Sequence, residues 1–108
     1  MGVDQYTYVI YGKHIGEYDE QFQEAYDWND KDLEVVFDNL WMDMKLGCVI
    51  FKSSGNGFEH NCLEIEFSPD NLSKLKEEYI AKFTAKYPDF SKHIAGEWKL
   101  LAFNYTCA

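Results

Sequence analysis

Residues 30–45, Asp-Lys-Asp-Leu-Glu-Val-Val-Phe-Asp-Asn-Leu-Trp-Met-Asp-Met-Lys, are the stretch on which the fold turns. Leu33, Val36, Phe37, Leu40, Trp41 and Met44 fall at i, i+3, i+4, i+7, i+8 and i+11, one face of a helical period. Asn29 or Asp30 is available as an N-cap, and acids occupy the first turn, where the helix dipole favours them. The spacing predicts a helix from about Asp30 to Lys45.

Upstream, Tyr6 to Tyr11 is β-branched and aromatic throughout and predicts a buried first strand, stopped by Gly12. Between Glu17 and Trp28, Tyr18, Phe22, Ala25 and Tyr26 share a helical face, which predicts a short helix or a helical loop. Downstream, Leu46 to Lys52 is a continuous apolar strand. Ser53 to Gly57 is a turn whose Asn-Gly pair tolerates positive φ, and Phe58 to Phe67 is the returning arm, with Leu63, Ile65 and Phe67 alternating with Glu64 and Glu66. Ser68-Pro69 opens a helix that carries Leu72, Leu75, Tyr79, Ile80, Phe83 and Tyr87 on one face and stops at Pro88. Trp98 to Thr106 closes as a strand. The order β-α-β-β-α-β predicts one α+β domain over residues 1–108, a four-stranded antiparallel sheet with two main helices on one face, the ferredoxin-like plan. No internal repeat, low-complexity tract or linker argues for a second domain.

Charge is distributed unevenly. Residues 1–45 hold eleven acids against three lysines, a net of −8, while the remaining residues contribute only −1 of the formal −9. Excess charge of one sign repels itself and invites a functional explanation. All ten basic residues are Lys, so bidentate guanidinium recognition of phosphate is absent, and a sequence pI near 4.6 is the reverse of a nucleic-acid binder's footprint. Three cysteines, Cys48, Cys62 and Cys107, form no C-x-x-C pair and fit reduced structural thiols. No apolar run approaches the roughly 18 residues of a membrane span, and no signal peptide is evident, so the expected compartment is the cytoplasm, the cell's own or that of a host.

Neither catalytic nor metal chemistry is indicated. Counted from Asp27 as an EF-hand loop, the fifth position is Lys31 and the sixth, where a turn glycine is needed, is Asp32. His14, His60 and His93 are widely spaced and lack a zinc-ligand partner pattern. Ser53 and Ser54 sit in a glycine-rich turn without a phosphate-loop lysine. The expected cofactor and metal content is none, and the chain is expected not to be an enzyme.

What remains is the acidic region. On a helical reading, Glu17, Glu20, Glu24 and Asp27 form one stripe, with Asp19 beside them and Asp30, Glu34 and Asp38 on the next helix. Carboxylates three or four residues apart, at about 1.5 Å rise per residue, approach the charge density of a DNA strand, with one phosphate per roughly 3.4 Å. These residues are the candidate phosphate surrogates, and Tyr26 and Trp28 the candidate aromatic anchors, residue types enriched at binding hot spots. The expected function is that of a small acidic inhibitor of a basic, nucleic-acid-binding protein. In size, acidity and lack of arginine the chain resembles, in general kind only, phage-encoded inhibitors of host nucleases, restriction systems and CRISPR effectors. No motif assigns it to one such family. The alternative is a ferredoxin-like homodimer that binds a small ligand, or does modest acid–base chemistry, between sheet and helices.

Overall fold

In the computed structural model residues 4–54 and 68–107 are described. They form β1 (Asp4–Ile15), α1 (Glu20–Ala25), β2 (Val35–Asp38), β3 (Asp43–Ser54), α2 (Pro69–Lys86), a 3₁₀ segment (Pro88–His93) and β4 (Lys99–Cys107). The four strands make one antiparallel sheet in the order β2-β3-β1-β4. The coarse α+β class therefore holds. The expected arm Phe58–Phe67, with His60 and Cys62, lies outside the described residues.

The helix expected from Asp30 to Lys45 does not form. That segment is instead the tight hairpin of β2 and β3, with Val35 opposite Leu46, Phe37 opposite Met44 and Asp38 opposite Asp43. Two features override the helical spacing. Val35, Val36 and Phe37 are β-favouring and buried on both faces of the sheet, so no polar alternation marks them as a strand. The Asp38 carboxylate then accepts hydrogen bonds from the Leu40 and Trp41 amides, at 3.1 and 3.3 Å, capping a turn in competition with helical hydrogen bonds. Met42, at φ 54°, closes the loop in the left-handed region. Among the described residues only α2 is a long helix, because the helical turn in the 17–28 region is six residues.

Other elements lie closer to expectation. Ser68 caps α2 by accepting from the Asn71 amide at 3.2 Å, and Pro69 occupies its first turn. Gly12 does not end β1, which continues to Ile15. It pairs with Gly47 where the two strands pass so closely that a Cβ on Gly12 would run into the Leu46 carbonyl.

Phe22 of α1 is fully buried at the centre of the main core. The rings of Tyr26, Phe37, Phe83, Tyr87, Phe90 and His93 lie 5.0–6.1 Å from its centroid. On the other side of the sheet Tyr8, Ile10 and Val36 pack with Leu101 and Phe103. There the Tyr105 hydroxyl donates to the Phe37 carbonyl at 3.3 Å, drawing the edge strands β4 and β2 toward each other across a coiled sheet.

Candidate functional site

Strand register gathers several chemistries at one end of the sheet. Ile15, the last residue of β1, pairs with Met44, and Met44 pairs with Phe37, so the exit of β1 and the β2–β3 tip point the same way. Gly16 and Glu17 follow at once, and the Tyr18 ring comes back against Phe37 at 6.2 Å. Asp19 then caps α1, accepting from the Gln21 and Phe22 amides at 3.0 and 3.2 Å.

The expected surrogates divide into free and committed carboxylates. Glu17, Glu20 and Glu24 are exposed, and among the described residues no cation lies within ion-pair distance of them. Asp19 is a structural cap, and the buried His93 ring donates to it through Nε2 at 2.9 Å. Asp27 is exposed but meets Lys86 at 3.0 Å, and Asp30 meets the same ammonium at 2.8 Å while its other oxygen accepts from the Asp32 and Leu33 amides. Glu34 accepts from the Tyr8 hydroxyl at 3.1 Å, with Lys52 3.5 Å away. Asp38, 2% exposed, is spent inside the protein on Lys45 and the Leu40 and Trp41 amides and is closed to an outside protein. The two parallel rows are therefore not formed, because the second row needed a helix over 30–45.

The aromatic candidates divide as well. Tyr26 is a core residue, with its hydroxyl donating to the Leu33 carbonyl at 2.7 Å; burial first, then the negative charge of Glu34, push its pKa well up. It cannot act as a surface anchor. Trp28 is 63% exposed while one side of its ring rests on Tyr26 and Phe37.

Ionisation follows the same geometry. Hydrogen bonds from Lys86 come first among the effects that hold Asp27 and Asp30 below the ordinary carboxylate range, and those two acids raise the Lys86 pKa in return. For Asp19 and Asp43 burial pushes upward, yet hydrogen bonds outweigh it and both sit low. His93 and the Phe22 amide act on Asp19, while Lys45 and His14 act on Asp43.

Two features escape the sequence reading. The first is a polar chain under the hairpin: His14 donates to Asp43 at 2.6 Å, and the buried Lys45 donates to Asp43 at 2.8 Å and Asp38 at 3.2 Å. The second is the tip itself, where Leu40, Trp41 and Met42 are 73%, 71% and 55% exposed. The helical spacing had assigned Leu40 and Trp41 to a buried face. The Asp38-Asn39 pair, two turn-favouring residues after a β-branched run, is the signal that marks the hairpin.

Surface clefts are shallow. One of about 410 Å³ is lined by Glu17, Tyr18, Glu20, Lys92 and the Asp19–His93 pair. Another, of about 260 Å³, lies between β3 and α2 beside Cys48 and Tyr79. Among the described residues no group of three His, Cys, Asp or Glu side chains could hold a metal ion, and no helix is long and apolar enough to cross a membrane. Compared with known proteins, the chain matches no family model, no curated protein and no solved structure.

Proposed function

We propose that this chain is a non-enzymatic binding protein whose α1 end engages a basic protein surface of the kind that ordinarily holds nucleic acid, and blocks it. One observation carries the reading. Glu17, Glu20 and Glu24 remain exposed and unpaired among the described residues, whereas the neighbouring acids are neutralised by lysines or used as caps. Glu20 and Glu24 stand one turn apart on α1, about 6 Å along the axis. They make a single row of charge in place of the expected pair. Like charges so placed weaken the short helix by a few tenths of a kcal/mol, a local conflict that a cationic partner relieves. The strand order β2-β3-β1-β4 and the alternation of helices and strands support a ferredoxin-like scaffold beneath this surface.

The small-ligand reading rests on the cleft between β3 and α2. At about 260 Å³ it falls below the roughly 300–1,000 Å³ of ordinary ligand pockets, and the larger clefts, of about 410 and 450 Å³, are lined mostly by charged and polar side chains rather than by the apolar walls such pockets have; for these reasons the charged surface is preferred. The test is co-purification of basic nucleic-acid-binding proteins with the full chain at low and high salt, repeated with the Glu17→Gln, Glu20→Gln, Glu24→Gln variant. Steep weakening by salt, displacement by duplex DNA and loss of binding in the folded triple variant are the expected results. Salt-indifferent capture that survives the triple substitution overturns the reading.

A further inference from the structure

We infer that the hairpin tip Leu40-Trp41-Met42 is an apolar anchor that enters a hydrophobic pocket rimmed by cationic side chains on a partner protein. The inference rests on the binding role proposed above and adds the contact surface and the shape of its counterpart.

The tip presents three consecutive large apolar side chains to solvent, each more than half exposed. Hairpin loops are ordinarily built from small polar residues and glycine. Contiguous apolar exposure of this kind marks interaction sites, and tryptophan is among the residues most enriched where binding energy concentrates. The placement is not an accident of a floppy loop. One Asp38 oxygen holds the Leu40 and Trp41 amides, and the other is held by Lys45. Lys45 in turn bridges to Asp43 and lies 5.0 Å over the Phe103 ring, while His14 fastens Asp43 from β1. A tip fixed in this way loses little conformational freedom on binding, so more of its contact energy appears as affinity.

Charge selects the occupant. The free carboxylates Glu17 and Glu20 leave the sheet at the same end as the tip, since Ile15 and Phe37 both pair with Met44. Lys45, the cation nearest the loop in sequence, is engaged with two aspartates, and the chain contains no arginine. An apolar tip entering a bilayer is normally accompanied by basic residues that meet the headgroups. This end offers Glu17 and Glu20 with Lys92 as the one lysine in their cleft, an acidic excess that anionic headgroups repel. Two copies of a chain of formal charge −9 repel each other as well. A protein pocket bordered by lysine or arginine satisfies both the apolar tip and its acidic surroundings.

The test compares the unsubstituted chain with Trp41→Ala, Leu40→Ala and the triple glutamine variant, each checked for folding by circular dichroism. Proteins retained at low salt are identified, and the partner is purified and titrated with all four. Trp41→Ala is expected to weaken binding about tenfold or more without changing the salt dependence, whereas the glutamine variant flattens the salt dependence. If Trp41→Ala binds as tightly as the parent while the glutamine variant fails, the anchor is wrong and the acidic reading survives. If Trp41→Ala fails and the glutamine variant is unaffected, the tip binds but the basic partner is wrong. Three other outcomes overturn the anchor. They are Trp41-dependent sedimentation with phosphatidylcholine or phosphatidylcholine–phosphatidylserine vesicles, Trp41-dependent self-association in the ultracentrifuge, and a set of retained proteins that Trp41→Ala leaves unchanged.

Discussion

Replacing Lys45 with methionine is expected to damage the fold more than any change at an exposed lysine. Its ammonium lies 3.2 Å from Asp38 and 2.8 Å from Asp43, and the three side chains are only 9%, 3% and 12% exposed. Methionine keeps most of the stem's packing and removes the ammonium, leaving two desolvated carboxylates, Asp43 with His14 and Asp38 with the Leu40 and Trp41 amides but no lysine. Breaking a buried ion pair from one side costs about 3–5 kcal/mol, because the remaining charge is uncompensated. Net stabilities are typically about 5–15 kcal/mol, so this is a large share. Unfolding entropy of about 2.1 cal/mol/K per residue amounts to about 0.23 kcal/mol per degree for this chain, which lowers the thermal midpoint by about 13–22 °C. Thermal and urea unfolding followed by circular dichroism give both quantities. The neutral variant Asp38→Asn, Asp43→Asn, Lys45→Met keeps an acceptor for the Leu40 and Trp41 amides and is expected to recover more than half of the loss. A penalty below about 1 kcal/mol, the size typical of an exposed pair, or no recovery in the neutral variant, would show that this cluster does not hold the hairpin.

Phe22→Ala is expected to cost about 3–5 kcal/mol because the ring is fully buried among six others; urea denaturation measures it, and a value near that of a surface change would mean that α1 is not docked. Asp19 is held below its ordinary value of 3.8, so its contribution is complete above that pH and is lost as the medium is acidified through the lower folded value. The gap between wild type and Asp19→Ala, about 0.5–2 kcal/mol at neutral pH for an N-cap, should therefore close in acid. A gap that persists there contradicts the assignment. Burial pushes the Cys48 thiol up to about 11, and it donates to the Leu75 carbonyl at 3.3 Å. Cys48 should resist iodoacetamide in the native state and react readily in urea, as read by peptide mass spectrometry.

How much was legible beforehand differs by element, and the reason is physical. Helix α2 could be read because its cap, its first-turn proline and its apolar face all lie within the segment. The first and last strands, β1 and β4, could be read from local β-branched and aromatic runs. Residues 30–45 could not, since Val36 and Phe37 fit a helical period and also suit a strand buried on both faces. Only the presence of β3 alongside, and of the two clusters on either side, selects between them.

The acidic region follows the same division. The bias of the first forty-five residues, the lack of arginine and the aromatic content of the chain were properties of the sequence alone. Which carboxylates remain available was a matter of the folded state. Lys86 reaches Asp27 and Asp30 from more than fifty residues away, Lys45 turns Asp38 and Asp43 into a structural clamp, and His93 engages Asp19 from the far side of α2. Composition counts charges without placing them. Whether a carboxylate faces solvent or a lysine is decided by distances of a few ångströms between residues remote in sequence, and those distances exist only once the core has packed.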